Sequence, residues 1–338
     1  MSPDMRTEGS DRRESPQAIW KEYDAVDGRG VSALVVIFRT VGCWWSRKQG
    51  CLMCGYNQAA SEAGIGEEQL LKQLEAAKSK FQGEEMVKIY TSGSFLDERE
   101  IPLAVRERIL LEFSTCNRIL FESRPEFVTE ESLSTLPADR IEIALGLESA
   151  NDLVLRKCIN KGFDVSDYER AAALIKGKGM NVRTYLLLKP PYLTERQAMT
   201  DTLLSIDFAC RFSDSISINP VNVQRDTMVE SLFRRGDYRP PWLWTLVEVL
   251  RQGRSKTDVR VFSSPSGAGT PRGAHNCGKC DGGVIAAIER FAFSQDLKEL
   301  EDLDCECKSR WRAQLELQDA MRTSVDIDRH LADDLGLD

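Results

Sequence analysis

Apolar and polar positions alternate along the chain in two periods. Ser32-Ala33-Leu34-Val35-Val36-Ile37-Phe38 is an apolar run with the length of a buried strand. Leu70, Leu74, Ala77 and Phe81 then recur on one stripe, which predicts a helix from Gly66 to Phe81. Met86 to Tyr90 is a second strand, Ile101 to Phe113 a second helix, and Arg118 to Glu122 a third strand stopped near Pro125. Ile141 to Leu147 follows as the fourth strand, and a helix from Ser166 to Lys176 is ended by Gly177 and Gly179. Val182 to Leu188 is the fifth, closed by Pro190-Pro191. A capping box, Thr194-Glu195-Arg196-Gln197, opens a helix to about Phe212, and Ser215 to Asn219 is the sixth strand.

Repeated β-α units of this length imply a parallel sheet with right-handed crossovers. Six units are too few for a closed eight-stranded barrel, so the expected fold class is α/β, an open, partial (β/α)6-type barrel. Such sheets place their chemistry at the carboxyl ends of the strands. The loop after the first strand, Ser92-Gly93-Ser94 and Glu122-Ser123-Arg124 all lie there. Ser263 to Gly273, rich in Ser, Gly and Pro, reads as a linker into a smaller unit. The expected organisation is a flexible tail over 1–17, a barrel over 18–262, and a metal-binding unit over 263–338 that ends in an acidic tail.

Composition narrows the setting. The 338 residues are 42% hydrophobic and 29% charged, as in a globular protein. No apolar run is long enough for a bilayer, and Met1 to Pro16 lacks the apolar core of a signal peptide, so a cytoplasmic location without a membrane is expected. The net charge of −8 argues against tight RNA binding by this chain alone. Local basic candidates are Arg234, Arg235, Arg239, Arg251, Arg254 and Lys256, each of which also reads as an ordinary solvated face.

Ten cysteines in a chain of this size and setting point to metal rather than disulfides. Cys43, Cys51 and Cys54 form C-x7-C-x2-C directly after the first strand. Three thiolates are one short of a closed iron–sulfur or zinc shell, which leaves a position for a substrate or cofactor. Structural zinc completed by a remote residue is the alternative; His275 and His330 are both far off in sequence. Cys277-x2-Cys280 and Cys305-x-Cys307 flank a helix-like stretch, Val284 to Phe293, and supply four sulfurs. That set suits structural zinc, with a second four-iron cluster as the rival. Cys116, Cys158 and Cys210 stand alone and are expected to be buried.

The three-cysteine loop of this β-α series resembles the radical S-adenosylmethionine superfamily, and its long first gap is similar to the Elongator-catalytic-subunit-like branch. Tyr56 falls two residues after Cys54 instead of directly before it. Tyr90-Thr91-Ser92-Gly93-Ser94-Phe95 stands where that family has a glycine motif whose backbone carbonyls receive the cofactor's amino group. Glu122-Ser123-Arg124-Pro125 is similar to the branch's Glu-Thr-Arg-Pro motif, and Leu145-Gly146-Leu147-Glu148-Ser149-Ala150-Asn151 to its Gly-x-Gln/Glu-Ser-x-Asn segment. The similarity covers roughly residues 33 to 262. It implies a [4Fe-4S] cluster on Cys43, Cys51 and Cys54, with S-adenosylmethionine on the open iron. It further implies cofactor contacts from Ser92, Gly93, Ser94, Glu122, Arg183 and Asn219. Taken alone, the serine–glycine turn could be any turn, Glu122 a strand-end carboxylate paired with Arg124, and Arg183 part of a solvated face.

A finer likeness runs through Thr40-Val41-Gly42-Cys43-Trp44-Trp45, Gly50-Cys51-Leu52-Met53-Cys54-Gly55-Tyr56, Asn219-Pro220-Val221-Asn222-Val223-Gln224 and Tyr238-Arg239-Pro240-Pro241-Trp242-Leu243-Trp244. These stretches look like the archaeosine-biosynthesis radical proteins, the RaSEA group. The likeness implies a tRNA-modifying lyase. An ArcS-type partner attaches lysine to a cyano-deazaguanine base in the tRNA D-loop, and the radical enzyme cleaves a lysine carbon–nitrogen bond to leave a formamidine. Two alternatives stay open: an Elongator-like radical enzyme with another substrate, and a non-catalytic metal-bound tRNA or protein adaptor.

Overall fold

The computed structural model describes residues 12–26, 28–55 and 64–321. Tyr56, residues 1–11 of the expected tail, and the acidic tail residues Asp326, Asp328, Asp333, Asp334 and Asp338 lie outside them. Among the described residues, eight strands form one sheet in simple sequence order. They are β1 (Ala18–Val26), β2 (Arg29–Ile37), β3 (Met86–Tyr90), β4 (Arg118–Ser123), β5 (Ile141–Glu148), β6 (Asn181–Leu188), β7 (Ser215–Pro220) and β8 (Arg260–Phe262). From β2 onward neighbours are parallel; β1 pairs antiparallel with β2.

All six strands legible in the apolar pattern are present, and two more extend the sheet. β1 carries Lys21, Glu22 and Asp24, so no apolar run announces it. β8 is three residues long. The helices among the described residues are α1 (Glu67–Lys78), α2 (Leu103–Glu112), α3 (Glu130–Ser134), α4 (Val165–Gly177), α5 (Glu195–Ala209), α6 (Met228–Arg235), α7 (Leu243–Lys256), α8 (Asp281–Ser294) and α9 (Cys307–Met321). The expected capping box holds: Thr194 accepts from the Gln197 amide.

A strand covered on both faces needs apolar residues at successive positions. In β2, Leu34 and Val36 join the large core under the helices, whereas Val31 and Ala33 face inward with Met86, Leu120 and Ala144. That inner plug is small, and charged side chains share the lumen with it. Asp24 of β1 meets Lys88 of β3, Arg183 of β6 and Arg260 of β8 at 2.6, 2.8 and 2.8 Å. Arg183 also pairs with Glu142 at 2.9 Å. The two ends of the sheet therefore meet through an ion pair, where a closed barrel would use a strand ladder. Burial works against ionisation of Asp24, but Arg183, Lys88 and Arg260 outweigh it and hold its carboxyl well below the usual range.

Within the segment expected as a tail, Arg12–Glu14 form a single 3-10 turn, and the Arg13 carbonyl accepts from Gln73. The C-terminal unit packs on the barrel: Trp311 Nε1 donates to Thr245 of α7, and Arg196 of α5 donates to the Leu315 carbonyl of α9. No helix among the described residues is long and apolar enough to cross a membrane.

Candidate active site

β2 delivers the chain into the loop that carries Cys43, Cys51 and Cys54, at the carboxyl end of the sheet. Gly42 and Gly50 turn it with φ of 87° and 76°, a region that favours glycine. The loop is clamped from outside by a π-helical stretch, Val154–Ile159, and the left-handed Asn160 after it. Trp45 Nε1 donates to the Asn160 carbonyl at 2.8 Å, Asn160 Nδ2 to the Gly50 carbonyl at 2.7 Å, and the Leu52 amide to the Ile159 carbonyl at 2.9 Å. Gly162 lies so close beneath Trp45 that a Cβ would meet its ring at 2.5 Å. Such π-helical turns concentrate at functional sites. Burial pushes the Cys51 thiol up to about 12, so without iron it stays protonated.

The turn after β3 packs directly on that loop. A Cβ on Gly93 would stand 2.7 Å from Cys43 Cα and 2.8 Å from a Glu100 carboxylate oxygen. The amides of Ser92, Gly93 and Ser94 donate to Glu100 at 3.0, 3.1 and 2.6 Å, and Thr40 Oγ1 adds a fourth bond at 2.6 Å. Ser92 Oγ is buried without a hydrogen-bond partner among the described residues. A buried hydroxyl left in this way costs free energy unless a ligand satisfies it. Three thiols on one loop, a glycine cradle with no room for a side chain, and this orphaned hydroxyl together fit an iron–sulfur cluster with a polar cofactor beside it.

Register places Tyr90, Glu122, Ala144 and Arg183 in one inward-facing row. Burial first, then the nearby carboxylates Glu148 and Glu100, push the Glu122 carboxyl up to about 8. Glu148, at a left-handed φ of 67°, pairs with Lys161 at 2.8 Å. Arg124 donates to Glu126 at 2.6 Å and to the Lys161 carbonyl at 3.1 Å, so the alternative reading of Glu122 as its ion-pair partner does not hold. Asn219 sits at the end of β7, its Oδ1 accepting from Ser217 at 3.1 Å. Arg183 is buried, not on a solvated face, and its guanidinium is directed to Asp24 and Glu142. The cysteine loop's end meets the Asn219–Gln224 segment, because a Cβ on Gly55 would stand 2.6 Å from Gln224 Cβ.

The second cysteine group closes completely. Cys277, Cys280, Cys305 and Cys307 bring their sulfurs within 4.8 Å of one another. The Sγ separations are 3.9 Å for Cys277–Cys280, 3.7 Å for Cys277–Cys305 and 3.7 Å for Cys280–Cys307. Asn276 Nδ2 and Trp244 Nε1 donate to Cys280 and Cys307 at 3.4 and 3.3 Å, as outer partners of metal-binding thiolates do. His275 is turned to the Gly273 carbonyl and stands outside this group. Among the isolated cysteines, Cys116 and Cys158 are buried, while Cys210 is only half-buried. Most of the basic candidates are already paired, Arg235 with Asp237, Arg251 with Glu248 and Lys256 with Asp207, and Arg239 stacks on Trp242 at 4.1 Å.

Comparison with known proteins agrees with this arrangement. The archaeosine synthase subunit beta of Methanosarcina acetivorans is 43% identical over 314 residues, 90% of this chain and 91% of that relative. The chain belongs to the archaeosine synthase subunit beta family. The member from Thermococcus kodakarensis is 40% identical, over 86% of this chain and 94% of that relative. Among solved structures, the archaeal Methanocaldococcus infernus Elp3 with an N-terminal deletion superposes with a TM-score of 0.51 and 18% identity, covering 70% of this chain and 59% of that one. The two chains thus share the partial-barrel fold. No family model matches the sequence.

For this member of the archaeosine synthase beta family, the structure adds residues that no motif announced. Glu100 ends a charged run, Asp97-Glu98-Arg99-Glu100, which reads as surface, yet it is 2% exposed. Lys161 and Asn160 follow a helical turn with no preceding signal. Ser149, inside the Glu148–Asn151 motif, donates to Asp201 at 2.9 Å and accepts from the Asn151 amide, which makes it a brace for the β5 loop.

Proposed function

We propose that this chain is the radical lyase component that forms archaeosine in tRNA, acting on a 7-deazaguanine base already carrying lysine. The relationship to the Methanosarcina acetivorans protein, extending over nine-tenths of both chains, carries the reading. Cys43, Cys51 and Cys54 would hold a [4Fe-4S] cluster. When bound there, the cluster and S-adenosylmethionine supply the 5′-deoxyadenosyl radical that takes a hydrogen from substrate. The protein's part is to hold, orient and exclude water. The Ser92–Ser94 turn and Asn219 border the cofactor position, Glu122 faces it from the lumen, and Arg183 stands in the same row, anchored by Asp24 and Glu142. The product left on the base is the formamidine of archaeosine. The acidic balance of the chain suits a tRNA site shared with a basic partner, and the relatives' name as a beta subunit supports a partner subunit, for which our reading is an ArcS-type lysine-transferring protein. Purified protein, lysine-adducted tRNA, S-adenosylmethionine and reductant should yield the formamidine base by mass spectrometry. Unchanged adduct in the presence of a demonstrably reduced cluster would contradict the reading.

The four-cysteine group is proposed as structural zinc. Four sulfurs about 2.3 Å from one tetrahedral ion stand about 3.8 Å apart, which matches the observed 3.7 to 3.9 Å. A cubane would spread its thiolates over four separate irons. Metal analysis of the reconstituted chain should therefore give about one zinc together with about four irons. About eight irons and no zinc would overturn the assignment.

A further inference from the structure

We propose that Glu100 is the positioning residue for the S-adenosylmethionine amino group, acting through the backbone of the turn it grips. This rests on the cofactor assignment above and adds to it a residue outside every motif.

Glu100 belongs to neither the cysteine loop nor the strand row that faces the lumen. Its carboxylate lies under the Thr91–Ser94 turn, 2% exposed, and accepts from three successive amides and from Thr40 Oγ1. Thr40 is fully buried and also accepts from the Gly42 amide, one residue before Cys43. One carboxylate thus ties the approach to the first cluster cysteine to the glycine turn that packs on it. Peptide planarity does the rest. In a trans peptide the carbonyl points opposite to the amide of the following residue, and no cis peptide is present among the described residues. Gathering the amides of residues 92, 93 and 94 onto Glu100 therefore turns the carbonyls of Thr91, Ser92 and Gly93 outward on the far side. Three outward carbonyls form a concave acceptor set, the complement of the amide nests that bind anions. Their natural ligand is a compact cation bearing N–H donors, an ammonium group.

The carboxylate is chemically specific for this task. Two oxygens accept four bonds from donors alone. Glutamine of the same shape would aim an NH2 at amides that can only donate, so one side of the grip must open. Among the described residues, the hydrogen-bond partners of Glu100 are neutral donors from the turn and from Thr40.

The test uses the anaerobically reconstituted full chain and three readouts: iron content, S-adenosylmethionine affinity by equilibrium binding, and the change that the cofactor causes in the electron paramagnetic resonance spectrum of the reduced cluster. Glu100→Gln should keep wild-type iron content and the cofactor-free spectrum. Its S-adenosylmethionine Kd should rise about 10- to 100-fold, as loss of an outer-shell partner does, with the cofactor-induced spectral change reduced or lost at equal concentration. KM for the cofactor should rise more than kcat falls. Thr40→Val removes one of the four bonds and should weaken binding in the same direction by a smaller factor, and Thr40→Ser should restore it. If Glu100→Gln does not fold, the Thr40 pair decides. Wild-type Kd and spectral response in folded Glu100→Gln, or in Thr40→Val should that be the only folded variant, overturns the proposal. Failure of the underlying cofactor assignment would look different: the wild-type chain itself would show no response to S-adenosylmethionine.

Discussion

Alanine at Cys51 is expected to empty the iron site and lower 5′-deoxyadenosine formation at least about a thousandfold, equivalent to about 4 kcal/mol of barrier. Cys51 sits between the other two thiols of the loop, held by the Leu52–Ile159 and Gly50–Asn160 bonds on either side. Two remaining thiolates cannot fix a cubane, whose open corner requires three filled ones. Iron per chain, measured after anaerobic reconstitution, should fall from about four toward zero. Cys116→Ala is the control: that thiol is buried just before β4, at the opposite end of the strand from the cysteine loop, so its loss should cost some stability and leave iron content unchanged. Retained iron in Cys51→Ala would remove Cys51 from the ligand set.

The largest effect on stability is expected from Asp24→Asn, about 3 to 5 kcal/mol. Asp24 is 3% exposed and is the shared counter-charge of Lys88, Arg183 and Arg260, which come from strands on opposite sides of the lumen. Asparagine leaves those cations buried against only Glu22 and Glu142. The sign of the pH dependence follows from the depressed carboxyl. Its contribution is present in full above the ordinary value of 3.8 and is lost as pH falls below that toward the lower folded value. Thermal unfolding at pH 7 should show the variant melting roughly 10 °C lower. The gap should narrow as the wild-type chain is acidified below about pH 4. A constant gap across that range would show that the cost is packing and not charge.

The parts of the fold readable in the sequence share one property: their local pattern and their tertiary setting agree. β2 is apolar on both faces, and β3, β5 and β6 are largely so apart from the inward-facing Lys88, Glu142 and Arg183, because helices cover one side and a plugged lumen the other, so the runs stand out. β1 was hidden because its inward residues are Lys21's neighbours Glu22 and Asp24, whose partners Lys88, Arg183 and Arg260 lie far along the chain. Only the curl of the sheet makes them a core. The cysteines were legible because thiolate spacing is a local signal. Glu100 was not: a carboxylate in an acidic run looks the same whether it faces water or four donors. Arg183 reads as polar in an apolar strand, and the structure explains this by its paired carboxylates in the floor of the lumen.

The central claim is that three thiols at the mouth of this half-barrel leave one iron corner open to S-adenosylmethionine. It is tested most directly by incubating reconstituted, dithionite-reduced protein with S-adenosylmethionine and lysine-adducted tRNA and measuring 5′-deoxyadenosine against formamidine base. The account predicts both products, formed together and absent in Cys51→Ala. Fully loaded and reduced protein that makes no 5′-deoxyadenosine would contradict it.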